Sequence, residues 1–184
     1  MTLYAPLPTI EGGWRCVLAD PPWRFQSNSV ERPGKNPMRH YACMNLDDIA
    51  ALPVKGGVAD DALLFMWITS PFLAIGAHMP IMKAWGFKVS TIGFVWEKES
   101  FGTGYTTRSS CEFVMVGRRG RPVRTSNSIR QFHQEPKRVH SRKPNEIAFR
   151  IEALCDGPRL ELFGRQSRAN WTVWGDQREL FDAK

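Results

Sequence analysis

WRCVLADPPW, residues 14–23, is the stretch that decides the fold. Trp14 to Ala19 form a short, mostly apolar run, and Asp20-Pro21-Pro22 ends it abruptly, because two prolines cannot continue a central strand. Such a run suits a strand buried on both faces of a parallel sheet. In open α/β sheets ligands bind outside the carboxyl ends of strands, which is where Asp20 falls.

Strand and helix signals alternate outward from there. Asn45 can cap a short helix, 46–52, stopped by Pro53. Residues 62–69 (ALLFMWIT) read as a second buried strand. Ser70 then serves as an N-cap with Pro71 at the first helical position. The expected helix carries Phe72, Ile75, Met79 and Met82 on one side, kinks at Pro80 and ends at Gly86. Residues 87–97 and 111–116 read as third and fourth strands around a Gly/Ser/Thr loop. Pro144 opens a helix with Ile147, Ile151, Leu154 and Cys155 at helical spacing, ended by Asp156-Gly157-Pro158. Residues 159–163 (RLELF) and 171–174 supply the last two strands. The alternation predicts one α/β domain over 1–184 with a Rossmann-like, doubly wound sheet.

Composition narrows the function. With 42% hydrophobic and 23% charged residues the chain has the make-up of a globular protein. No apolar run approaches the roughly 18 residues that span a bilayer, and residues 1–13 lack the features of a secretory signal. The cytoplasm is the expected location, with no membrane partner. The four cysteines are scattered singly, so neither a metal site nor a disulfide framework is expected. No GxGxxG, GxxxxGK[ST] or GxSxG motif is present, which sets aside nicotinamide, nucleotide-triphosphate and serine-hydrolase chemistry.

Net charge is +7, and one segment supplies all of it. Residues 117–143 hold nine basic side chains and one acid, a net +8 against −1 for the rest. A loop of this composition, with Arg118, Arg119 and Arg121 at its start, suits a phosphate-tracking surface that binds nucleic acid. A merely solvated loop is the plain alternative.

Asp20-Pro21-Pro22-Trp23 carries the chemistry. By residue usage its chance appearance in a chain this long is on the order of one in a thousand or rarer, so it is worth a mechanism. Adenine's exocyclic amine is a weak nucleophile because its lone pair is delocalised into the ring. A carboxylate accepting one N–H, with a carbonyl of the rigid Pro-Pro turn accepting the other, favours a localised lone pair. Trp23 is then expected to stack on the base. Asp20 as an ordinary carboxylate suffices, and no metal is demanded. A structural capping aspartate at a Pro-rich strand end is the competing reading.

The chain resembles the DPPW-type, MT-A-seventy family of adenine methyltransferases in successive blocks: VLADPPW, HYACMNLDDIAALPV, LLFMWITSP, VWEK, CEFVMVGRRG, HSRKPNEI, ELFGR and NWTVWGDQ. The resemblance implies a permuted class I methyltransferase fold, with the target-binding strand ahead of the cofactor-binding one, and S-adenosylmethionine as methyl donor. It implies catalytic roles for Asp20, Pro21, Pro22 and Trp23. It also implies that Tyr41, Trp67 and Trp96 shape the base and cofactor cavity, core packing being the alternative for Trp67. Glu112 matches a family acid near the active-site loop, and Lys143 matches a lysine that meets the cofactor's carboxylate. Asp20, Arg165, Asn170, Asp176 and Gln177 match positions around the cofactor. Two features depart from the family. Gln166 to Ala169 are shorter than the run found in relatives, and the acidic and apolar pair before the first strand has no counterpart near residues 1–11.

Methyl transfer to the N6 amine of adenine is therefore the expected activity, on DNA in preference to RNA, since the chain looks like stand-alone bacterial or phage relatives. A silent nucleic-acid-binding subunit and a protein-amide methyltransferase are the alternatives. Nucleic acid is the expected partner, with a homodimer left open.

Overall fold

The computed structural model describes residues 5–24, 43–100, 106–139 and 142–182. Its elements run β1 (Trp14–Ala19), α1 (Leu46–Ala50), α2 (Val54–Gly57), β2 (Val58–Thr69), α3 (Ser70–Ala74), α4 (His78–Ala84), β3 (Lys88–Glu97), β4 (Cys111–Arg119), β5 (Phe132–Gln134), α5 (Asn145–Leu154), β6 (Arg159–Leu162) and β7 (Thr172–Trp174). The strands form one sheet in the order β5-β3-β4-β2-β1-β6-β7. β1 pairs in parallel with β2 on one side and β6 on the other. Only β4 is reversed, antiparallel to both β2 and β3. The strand order changes direction beside β1, so a crevice opens at the carboxyl ends of β1 and β6.

Alternate side chains divide the core between the two faces, as the period of two requires. Val17, Ala19, Leu64, Met66 and Ile68 pack with Ile49 of α1 and Ile81 and Met82 of α4. Cys16, Leu18, Leu63, Phe65 and Trp67 pack on the other face with Ile147, Ala148 and Ile151 of α5. Both faces are covered, which is the doubly wound α/β arrangement expected from buried apolar runs.

Several boundaries differ from expectation. Asn45 caps α1 through a 2.7 Å bond from the Asp48 amide to its Oδ1. The helix expected over 70–86 is instead two short ones, α3 and α4. Its N-cap is Thr69, and the break falls at Ile75–Ala77, where Gly76 has φ +68°. Pro80 does not kink anything, because it lies in the first turn of α4, where an N–H has no intrahelical partner to lose. Ile75, at the break, and Met79, in the first turn of α4, are consequently exposed. The basic segment is not one loop. Its first residues finish β4, and 132–134 form β5 beside the carboxyl end of β3.

Close approach of β6 and β7 depends on Gly164. Its amide donates to the Trp174 carbonyl at 3.1 Å, and a Cβ there would strike Cγ1 of Val173. Gly164→Ala should lower stability by about 1–3 kcal/mol. An unchanged urea midpoint would mean that the two strands part without resistance.

Candidate active site

Asp20 is the first residue beyond β1, and its amide donates to the Leu162 carbonyl at 3.2 Å, fixing the aspartate to the end of β6. The turn that follows is tight. The Pro21 carbonyl accepts the Trp23 amide at 2.8 Å, and the Pro22 carbonyl accepts the Met44 amide at 3.0 Å. Each carbonyl keeps a second lone pair able to accept from a ligand.

Trp23 corrects the expectation of a stacking surface. Its side chain is buried, stacked on Phe72 with ring centroids 5.1 Å apart. Its indole N–H donates to the Trp67 carbonyl at 3.2 Å. Both its polar atom and its area are used to pin the turn against β2 and α3, because a strand end flanked by buried prolines needs an anchor more than an open ring.

Four charges of alternating sign cross the site. Lys98 Nζ lies 2.7 Å from Glu112 Oε1, Glu112 Oε2 lies 3.4 Å from Lys143 Nζ, and Lys143 Nζ lies 2.8 Å from Asp20 Oδ2. Glu112 reaches this place because β4 is reversed, so its starting residues pair with Thr69 and Trp96 at the carboxyl ends of β2 and β3. The two lysines lie over tryptophan rings, Lys143 at 5.4 Å from the centroid of Trp67 and Lys98 at 5.5 Å from that of Trp96. These indoles meet edge to face at 6.1 Å, and Trp96 donates to the Glu135 carbonyl. Trp67 and Trp96 are thus both core residues and the floor beneath the cations.

Burial by itself would push Glu112 upward, but Lys143 and Lys98 hold its carboxyl below the usual range. Burial would lower Lys143, yet Asp20 and Glu112 hold its ammonium well above the ordinary value, so it stays charged at any working pH. Glu161 of β6 behaves oppositely. Burial raises its carboxyl, and Arg168 at 3.1 Å opposes the rise without cancelling it.

The cleft at this point, about 30 Å³ in volume, is lined by Asp20, Trp67, Lys143 and Arg165, together with Arg142, Glu161, Phe163, Gly164, Gln166, Arg168 and Phe181. Small-molecule pockets usually hold roughly 300–1,000 Å³, so this cleft has to widen to admit a ligand. Asn170, Asp176 and Gln177 do not line this cleft. Asn170 precedes β7, at the amino ends of the parallel β6 and β7, whereas Asp176 and Gln177 follow the carboxyl end of β7, one strand beyond β6. Tyr41 lies outside the described residues.

Arg118, Arg119 and Arg121 are not at the site. β4 runs against its neighbours, so Glu112 pairs with Thr69 while Arg119 pairs with Ala62, at the other end of β2. Seven residues of strand separate the two ends, roughly 23 Å. Arg119 is spent on the Lys55 and Val58 carbonyls and Asp60, and the Arg121 amide donates to Asp61. A cavity of about 400 Å³ lies there too, lined by Arg15, Asp60, Asp61, Arg121 and Cys155 among others. It faces the amino ends of the parallel strands, the wrong end for a sheet of this kind.

Sequence reasoning missed Arg142, Glu161, Gln166 and Arg168. Glu161 did leave a signal, being a charge inside an otherwise apolar strand, RLEL. Gln166 and Arg168 sit in an irregular segment that no periodicity reads.

Known proteins match nearly the whole chain. Residues 14–177 match the MT-A70 family. The chain is 29% identical over 180 residues to "Type II methyltransferase M.MunI" from a Mycoplasma species, covering 88% of this chain and 76% of that one. It is 30% identical over 181 residues to an "N(6)-adenosine-methyltransferase MT-A70-like protein" of Drosophila melanogaster, covering 92% of this chain but 28% of the fly protein. Against the human "N(6)-adenosine-methyltransferase catalytic subunit METTL3" the identity is 29% over 182 residues, 92% of this chain and 29% of the human one. With the match running from the start of β1 past the end of β7, the chain belongs to the MT-A70 family of N6-adenine methyltransferases.

Proposed function

We propose that this protein transfers a methyl group from S-adenosylmethionine to the N6 amine of adenine in nucleic acid, with DNA favoured over RNA. The observation that carries the reading is the Asp20 carboxylate, fixed at the carboxyl end of β1 and bridged to a partly buried lysine beside Trp67. DNA is favoured because the chain spans three quarters of a type II methyltransferase, against under a third of the adenosine methyltransferases it matches.

The residues present fit the proposed donor in chemistry. Lys143, Arg142 and Arg165 offer cations for its carboxylate, and Phe163 and Phe181 offer apolar contact. When bound, S-adenosylmethionine supplies an electrophilic methyl on a positively charged sulfur. Asp20 accepts one N–H of the adenine amine, and the Pro21 or Pro22 carbonyl accepts the other, so the nitrogen's lone pair is directed outward. Asp20 then takes up the proton that the methylated amine sheds. Glu112 holds Lys143 beside Asp20, which keeps the carboxylate aimed. In a duplex the base has to be flipped out to reach it.

The direct test is to incubate the protein and S-adenosylmethionine with unmethylated DNA and RNA, digest each, and measure N6-methyladenine by mass spectrometry. Methyl groups appearing on protein but on neither polymer would overturn the reading. The basic surface is tested separately. Arg130 and Lys137 are exposed and flank β5, near the carboxyl end of β3. Reversing both to glutamate should weaken oligonucleotide binding about tenfold or more and flatten its salt dependence. Reversing Arg118 and Arg121 should change it less than about twofold, since they lie at the far end. Equal losses from the two pairs would mean that the polymer wraps the whole sheet edge.

A further inference from the structure

Two buried polar atoms of residues lining the cleft beside Asp20 have no hydrogen-bond partner among the described residues: Nε of Arg142, a donor, and Oε1 of Gln166, an acceptor. Leaving a buried polar atom unmade costs about 1–3 kcal/mol, and native proteins keep few such atoms without a use. Their surroundings hold both side chains in place. Gln166 donates through Nε2 to Asn145 Oδ1 at 2.7 Å, and Asn145 also accepts from Arg168 at 3.4 Å. Arg168 is in turn fixed to Glu161. The guanidinium of Arg142 lies 5.4 Å from the ring centroid of Phe181, which covers one of its faces. A preset donor and a preset acceptor, 24 residues apart in sequence but on one cleft, call for a ligand group that carries both polarities.

We propose that Arg142 and Gln166 bind the amino-acid end of the methyl donor, Arg142 Nε donating to its carboxylate and Gln166 Oε1 accepting from its α-ammonium. The inference rests on the cofactor reading above and adds to it. Lys143 is already shared between Asp20 and Glu112, so a second cation for the carboxylate lets Lys143 keep its hold on Asp20. Gln166 also opens the segment that departs from the family pattern, which gives this chain its own way of holding that end of the ligand. A ribose diol is the other group with both polarities, and a cation lining the same cleft as the acceptor favours the zwitterion over it.

Binding of two adenosine compounds by the full chain, followed by calorimetry, separates these cases. S-adenosylhomocysteine carries the amino-acid end, and 5′-methylthioadenosine keeps the ribose but lacks that end. Gln166→Leu and Arg142→Met should each weaken S-adenosylhomocysteine about tenfold and leave 5′-methylthioadenosine within about twofold. Arg142→Met keeps an unbranched side chain at an independent position, so it reports even if Gln166→Leu fails to fold, as judged by circular dichroism and thermal melting. Unchanged affinity for S-adenosylhomocysteine in a folded variant of either residue overturns the proposal. Equal weakening of both compounds overturns it in favour of the ribose. Failure of the unaltered protein to bind either compound overturns the cofactor reading itself.

Discussion

Asp20→Ala should reduce methyl transfer to adenine by roughly 10³-fold or more while the protein stays folded. The loss is large because the carboxylate is the group that accepts an amine N–H as charge develops, the kind of contact whose removal commonly costs about 10²–10³-fold, with proton acceptance adding to it. The fold survives because Lys143 does not lose its last partner. Glu112 Oε2 remains 3.4 Å from its ammonium, and the backbone bond from residue 20 to Leu162 needs no side chain. Asp20→Asn tests the charge alone. It keeps an acceptor oxygen, and it should fall between the alanine variant and the unaltered enzyme. The measurement is methyl incorporation into oligonucleotide beside a urea melt. Near-normal turnover in the alanine variant would remove Asp20 from the mechanism.

Lys143→Met should have the largest effect on stability, about 2–3 kcal/mol at pH 7, together with loss of activity. Breaking a buried ion pair from one side usually costs about 3–5 kcal/mol, because the orphaned charges stay buried. Here Lys143, Asp20 and Glu112 keep side-chain exposures of 20%, 19% and 15%, and Lys98 still serves Glu112, so the lower figure applies. The pH dependence follows from the two shifts. Glu112 is held below its unfolded value, so its stabilising contribution is present above about pH 4.5 and is lost as pH falls through its lower folded value. Lys143 is held above its unfolded value, so its contribution is present below about pH 10 and is lost only as pH rises through its raised folded value. The gap between variant and unaltered protein should therefore be level from about pH 5 to 9 and narrow below about pH 4. Urea unfolding at pH 7 and pH 3.5 checks this, and a gap that is equal at both would exclude the carboxylates as its source.

Some of this was legible in the residues and some was not, for physical reasons. The run WRCVLA and the proline stop after it read correctly as a central strand with a ligand-facing end, because burial on both faces leaves a continuous apolar stretch. The direction of β4 was not legible. An apolar run such as CEFVMVG looks the same whichever way it points, so Arg118 and Arg119 were placed with the cations that follow them in sequence. One reversed strand carries them to the opposite end and brings Glu112 to the site instead. The fate of Trp23 was hidden for a similar reason. Whether an indole is a platform or an anchor depends on Phe72 and Trp67, which no local pattern ties to it. β5 is three residues long and carries no periodicity to find. The orphaned atoms of Arg142 and Gln166 emerge only from counting hydrogen bonds in three dimensions.

The position of β1 between an early and a late strand has a consequence for how the protein is made. β2 follows β1 closely, but β6 on its other side comes from near the end of the chain, and the lysine that neutralises Asp20 lies 123 residues downstream of it. During synthesis, then, one edge of this apolar strand stays unpaired until nearly the whole polypeptide has left the ribosome. Pairings this distant in sequence form slowly, and an open apolar edge invites pairing with the wrong chain. A nascent chain ending before residue 159 should therefore be both inactive and prone to aggregate, with active-site assembly among the last events of folding.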